Sequence, residues 1–92
     1  MITTFNCRDT QTLFEGNRIA RFASIAKVAI RKLQQIHAAV DLDFLRIPPN
    51  NRFEALKGGR KGQYSIRIND QWRICFKFAN GRATAVEIDD YH

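Results

Sequence analysis

Apolar residues from position 25 onward recur at helical spacing. Ile25, Val28, Ala29, Leu33, Ile36 and Val40 share one face of "IAKVAIRKLQQIHAAV", the rhythm of a helix with a single buried stripe. Ser24 stands where an N-cap is expected. Lys27, Arg31, Lys32 and Gln35 lie on the side predicted to face solvent, and His37 borders the stripe as an ordinary boundary residue. Upstream, "DTQTLFEG" predicts a short helix between an N-cap at Asp9 or Thr10 and a stop at Gly16, and "ITTF" alternates like a short strand. Pro48 and Pro49 forbid any continuation of the long helix into "DLDFLRIPPNN".

Beyond residue 52 the period changes to two. "RFEALK", "QYSIRIN", "QWRICFKF" and "RATAVEID" are runs rich in β-branched and aromatic residues, separated by "GGRKG", "ND" and "ANG". The last two separators suit tight hairpins, so the runs predict an antiparallel meander. Alternation then assigns faces. Tyr64, Ile66 and Ile68 point to one side with Trp72, Ile74, Phe76, Phe78, Val86 and Ile88; Ser65, Arg67, Arg73, Cys75, Lys77, Ala85, Glu87 and Asp89 point to the other. In the first run, Leu56 inward would place Lys57 outward, although Phe53 has the opposite parity. The expectation is an α+β fold: two or more N-terminal helices packed on one face of a curved, mainly antiparallel sheet. The other face is left open and basic, carrying Lys57, Arg67, Arg73 and Lys77.

Length and composition narrow this picture. Ninety-two residues make a single domain, 1–92, and 45% hydrophobic residues with seven Phe supply a core without metal or disulfide staples. No apolar run approaches the roughly 20 residues of a membrane span. "MITTFNCRD" lacks the basic and apolar segments of a signal peptide, so the expected location is cytoplasmic with no membrane contact. Cys7 and Cys75 show no CxxC or zinc spacing and are expected as buried, reduced thiols; no metal and no cofactor is implied. "GGRKG" lacks the Ser/Thr and helix of a phosphate loop. Fifteen Lys and Arg against nine Asp and Glu leave a net charge of +6, the balance of a chain that meets nucleic acid or an acidic protein.

RNA is one ligand on which the open face could act. Cleavage by the RNA's own 2′-hydroxyl needs a base for that hydroxyl, cations for the pentacovalent phosphorane and an acid for the leaving 5′-oxygen. Arg73 and Lys57 would supply the cations. His92 would exchange protons near neutrality, Tyr91 would stack on a base or orient the phosphate, and Asp90 would hold the His tautomer. The same residues fit a bland arrangement, in which Arg67 and Arg73 are solvated or pair with Glu87 and residues 89–90 are a charged tail. The residues alone leave both open.

The combination adds a resemblance. "NRFEALKGGRKGQYSIRINDQWRICFKF" followed by "VEIDDYH" resembles the HigB toxins of the RelE/ParE superfamily, over essentially the whole chain. The resemblance implies a RelE-like microbial RNase fold and the toxin of a type II toxin–antitoxin pair. It further implies a metal-independent endoribonuclease that cuts mRNA in the A site of the 70S ribosome, with contacts to 16S rRNA, leaving a 2′,3′-cyclic phosphate and a 5′-hydroxyl. The implied antitoxin is a HigA-like helix-turn-helix protein, through which the complex reaches operator DNA. Carried over by position, Lys57, Arg73, Asp90, Tyr91 and His92 are the implied catalytic residues. Lys27, Arg31, Lys32, Arg60, Lys61 and Arg67 are candidates for rRNA phosphate contacts. Two positions depart from the pattern: Glu54 stands where some relatives carry His, and Gln71 where some carry Asn. A carboxylate beside a phosphate adds repulsion, so Glu54 is left outside the expected site. Two other readings stay open, a ParE-like gyrase poison and a non-catalytic module binding RNA or an antitoxin.

Overall fold

Asn80 and Gly81 adopt φ of 53° and 75°, the left-handed pair that lets a two-residue turn follow the twist of its flanking strands. This "ANG" turn joins β3 (Trp72–Ala79) to β4 (Arg82–Asp90). The computed structural model describes residues 1–90. In it β1 (Glu54–Ala55) and β2 (Tyr64–Arg67) precede the hairpin, and the sheet runs β1-β2-β3-β4 with every neighbouring pair antiparallel. Three helices, α1 (Arg8–Phe14), α2 (Ala26–Ala38) and α3 (Asp43–Arg46), pack with it. The α+β expectation therefore holds. Among the described residues no helix is long and apolar enough to cross a membrane.

Strand register confirms the face assignment in β2, β3 and the end of β4. Ile66, Ile74 and Ile88 stand in one row across three strands, and all are buried. The neighbouring rows, Ser65–Cys75–Glu87 and Arg67–Arg73–Asp89, fall on the open side. Phe76 and Phe22 are fully buried, and Trp72 stands half-buried with its ring edge-on to Phe22 at 5.5 Å. Phe76→Ala should cost about 3–5 kcal/mol, the transfer and cavity loss of a buried aromatic; urea unfolding checks it, and an unchanged midpoint would contradict the packing.

Several expectations of the pattern are corrected. Val40 is 76% exposed, because at Ala39 the backbone leaves the helical region (ψ 127°) and carries the next side chain off the buried stripe. Ser24 caps nothing: a 3₁₀ turn, Ala20–Phe22, precedes α2, and Ile25 stands at its N-cap without a side-chain bond. Neither Asp9 nor Thr10 caps α1. Asp9 pairs with Arg21 at 3.2 Å, and Thr10 lies inside the helix, where its buried Oγ1 accepts the Ile88 N–H at 2.9 Å. That bond satisfies a buried strand donor, so Thr10→Val should cost about 1–3 kcal/mol in urea unfolding. Cys75 is buried as expected, but Cys7 is only half-buried.

The "ITTF" segment meets β4 in parallel rather than forming a strand within the antiparallel sheet. Thr3 N–H donates to the Ala83 carbonyl and Val86 N–H to that of Thr4. Between Cys75–Glu87 and Lys77–Thr84 the register shifts, two β4 residues facing one of β3. Ala85 absorbs the bulge at φ 52°, its N–H donating to Thr4 Oγ1. The extra residue changes parity, so Ala83 joins Val86 and Ile88 in the core. β1 also settles against Leu56 as its inward residue. Phe53 packs on the core with its ring stacked on Tyr64, and the pairing of Glu54 with Ser65 puts Glu54 on the open face.

Candidate functional site

A cleft of about 280 Å³ opens on the exposed face of the sheet, lined by Arg52, Glu54, Ser65, Arg67 and Arg73. Alternation brings Ser65 and Arg67 to this face from β2 and Arg73 from β3, while the short β1 contributes Glu54. Arg67 and Arg73 stand directly opposite each other in the ladder. Like charges so placed are destabilising, and each arginine has a carboxylate to offset this: Asp70 for Arg67 and Asp89 for Arg73.

Arg73 is the more enclosed of the two, its side chain 20% exposed. Its Nε and Nη2 lie 3.4 and 3.3 Å from Asp89 Oδ2. The same oxygen takes Arg60 Nη2 at 3.6 Å and the Cys75 thiol at 4.0 Å. Arg60 also reaches Glu87 at 3.2 Å and Gln63 at 2.9 Å. Burial pushes the Cys75 thiol up from its ordinary value, although Arg73 and Arg60 pull the other way, so it remains a protonated structural group. Asp89, itself held by Arg60, sets the orientation of Arg73, which a flexible surface arginine lacks.

Arg52 was not singled out by its type or spacing. It follows "PPNN" in the left-handed region (φ 44°), a conformation non-glycine residues rarely adopt. The turn is pinned from beneath: buried Asn51 donates through Nδ2 to the Leu45 carbonyl at 3.1 Å and to Gln35 Oε1 at 3.2 Å. The only advance signal for this was a short polar run after two prolines.

The expected site residues divide. Arg73 lines the cleft, and Lys57 is exposed at the turn after β1, outside the cleft lining. Asp90 ends the described part of β4 opposite Trp72, on the parity opposite to Arg73, and accepts from Gln71 Nε2 at 3.0 Å; Asp89 is a carboxylate against Arg73. Tyr91 and His92 lie outside the described residues. Of the expected phosphate contacts, Lys27, Arg31 and Lys61 are exposed. Arg60 is already engaged by Glu87 and Asp89, and Arg67 by Asp70. Lys32 is not on the exposed side that the helical pattern predicts: only 6% exposed, it donates from Nζ to the carbonyls of Arg67 at 2.6 Å and Asn50 at 3.4 Å. Burial, reinforced by Arg31 and Arg67, lowers the pKa of its ammonium. Glu54, set aside on sequence grounds, is in the cleft. His37 is taken up structurally, its Nδ1 accepting the Ile2 N–H at 3.0 Å.

Comparison with known proteins adds the lineage. Residues 8–92 match the family described as RelE-like toxin of type II toxin–antitoxin system HigB. The chain is 44% identical over 93 aligned residues to Toxin HigB-1 of Vibrio cholerae, covering 99% of this chain and 98% of that protein. It is 38% identical to Endoribonuclease HigB of Proteus vulgaris over the whole of both chains. Its fold is similar to a chain in the crystal structure of the heterotetrameric YoeB–YefM toxin–antitoxin complex of Staphylococcus aureus, with a TM-score of 0.64 and 21% identity, covering 100% of this chain and 95% of that one.

Proposed function

From the premise that the chain belongs to the HigB-like toxins of type II toxin–antitoxin systems, we propose that it is a ribosome-dependent endoribonuclease, cutting mRNA in the A site and so stopping translation. The observation that carries this is the cleft itself, in which three arginines and one carboxylate, Glu54, line about 280 Å³ on an otherwise open sheet face. Gathering guanidinium groups is a cost to folding that a bound polyanion relieves.

The chemistry is in-line attack of the 2′-oxygen on its neighbouring phosphorus, giving a 2′,3′-cyclic phosphate and a 5′-hydroxyl, with no metal taking part. Arg73, held by Asp89, donates to the phosphorane oxygens; Lys57 adds a point charge from the neighbouring turn. Glu54 is the carboxylate facing the cleft and takes the 2′-hydroxyl proton. His92 returns a proton to the leaving 5′-oxygen, with Tyr91 stacking on a base and Asp90 holding the imidazole. The described part of β4 ends at Asp90, and Asp89 is the cross-strand partner of Arg73.

Control comes from a partner. An endoribonuclease called HigB is among the relatives, and the structural neighbour was solved with its antitoxin. By the same logic this toxin acts in the cytoplasm and is held inactive by a cognate HigA-like helix-turn-helix antitoxin, through which it reaches operator DNA. The test is a map of mRNA ends after brief induction. Cuts within translated codons support the reading. Intact mRNA with blocked DNA supercoiling would identify a gyrase poison instead, and neither effect would mean a non-catalytic module.

A further inference from the structure

A second cleft, of about 390 Å³, adjoins the first and shares two of its walls. Arg52 and Arg67 line both; Arg31, Lys32, Asn50 and Asn69 are among the residues that complete the second. Among the described residues its lining contains no carboxylate. The two form one trough from Arg73, across the Arg67–Arg52 divide, to the flank of α2.

The floor of this trough is built rather than incidental. Lys32 is 6% exposed, and its Nζ joins the "PPNN" turn to the end of β2 through the carbonyls of Asn50 and Arg67. An ammonium has three N–H donors. Two are used on those carbonyls, which leaves a third on a residue that lines the cleft. Above it, the backbone at Arg52 is set by the left-handed turn anchored through Asn51, and Arg31 is exposed on α2, one residue before Lys32. A buried donor, two cations and no carboxylate among the described lining residues describe an anion site.

The geometry points to a second phosphate subsite. Arg31 and Lys32 hold the phosphodiester adjacent to the scissile one in the same single-stranded RNA, while Arg73 and Glu54 act on the scissile phosphate. Arg52 and Arg67, at the shared wall, contribute to both. A positive groove that tracks consecutive phosphates is the common device for binding single strands. Here it would set the position of the cut by gripping the chain one phosphate away. This rests on the proposed nuclease reading for the identity of the ligand.

The test uses the full protein and an uncleavable 2′-O-methyl RNA trinucleotide, whose two phosphodiesters are neutralised one at a time as methylphosphonates. Wild-type protein should lose roughly tenfold in affinity at low salt on either neutralisation. In Arg31→Gln, one of the two neutralisations should cost nothing further while the other keeps its full effect; in Arg52→Gln, at the shared wall, both effects should shrink. The salt slope of each variant should fall by about 1. Arg31 is exposed on its helix, so its variant tests the subsite without threatening the fold. Equal losses in wild type and both variants, or no loss in wild type, would overturn the subsite. Coupling found alongside absent mRNA cleavage on ribosomes would instead overturn the nuclease and leave the trough standing.

Discussion

Arg73→Ala should slow single-turnover cleavage of ribosome-bound mRNA by roughly 10²–10³-fold, the loss expected when one preorganised donor to a developing oxyanion is removed. The size of the effect follows from how Arg73 is held. Two of its nitrogens lie against Asp89 Oδ2, so its orientation is set before substrate arrives. Substitution leaves Asp89 still within 3.6 Å of Arg60, and the carboxylate is not orphaned. The variant should therefore unfold close to the wild-type midpoint and still bind ribosomes. Arg73→Lys should recover little, since a lysine offers one point charge where the guanidinium presents a planar fork. His92→Ala should match Arg73→Ala in its loss, with Lys57→Ala similar or milder. Near wild-type cleavage by Arg73→Ala would remove the cleft from the mechanism.

The pure protein should cut naked RNA at least about 10³-fold more slowly than mRNA in the A site, because alignment of reacting groups is worth orders of magnitude in rate. The cleft supplies charge, but it lies on the open face of the sheet. A flexible single strand lying in it is free to keep the 2′-oxygen, phosphorus and 5′-oxygen out of line. In the proposed reading the ribosome grips the codon and supplies that alignment. Rates on free oligonucleotides and on programmed ribosomes, measured with the same protein preparation, check this. Fast, His92-independent cutting of free RNA would sink both the assigned residues and the ribosome's role.

Sheet faces were legible because alternation is a local property. The inward row of Ile66, Ile74 and Ile88 and the outward placement of Arg67, Arg73 and Glu87 needed only a period of two. The "ANG" turn was equally local, since two consecutive left-handed residues call for Asn and Gly. Arg73 and the "DYH" end of the chain were visible as residue types, and the resemblance put them in one site.

By itself, the sequence determined the fold class, the basic open face and the family. Tertiary structure alone decided which charges are available to a ligand. Lys32 lies on what the helical wheel marks as the exposed side of α2, yet its ammonium is bonded beneath the "PPNN" turn to carbonyls 18 and 35 residues away. Arg60 looks like a free cation until the open face sets it against Glu87 and Asp89. Glu54 looked repulsive and Leu56 inward until pairing with Ser65 fixed the register of a two-residue strand too short to show its own period. Arg52 owes its place to a left-handed turn and a buried asparagine. In each case the deciding partner is distant in the chain. Periodicity reports the face a side chain occupies, whereas the balance of a charge depends on which other chain segment reaches that face.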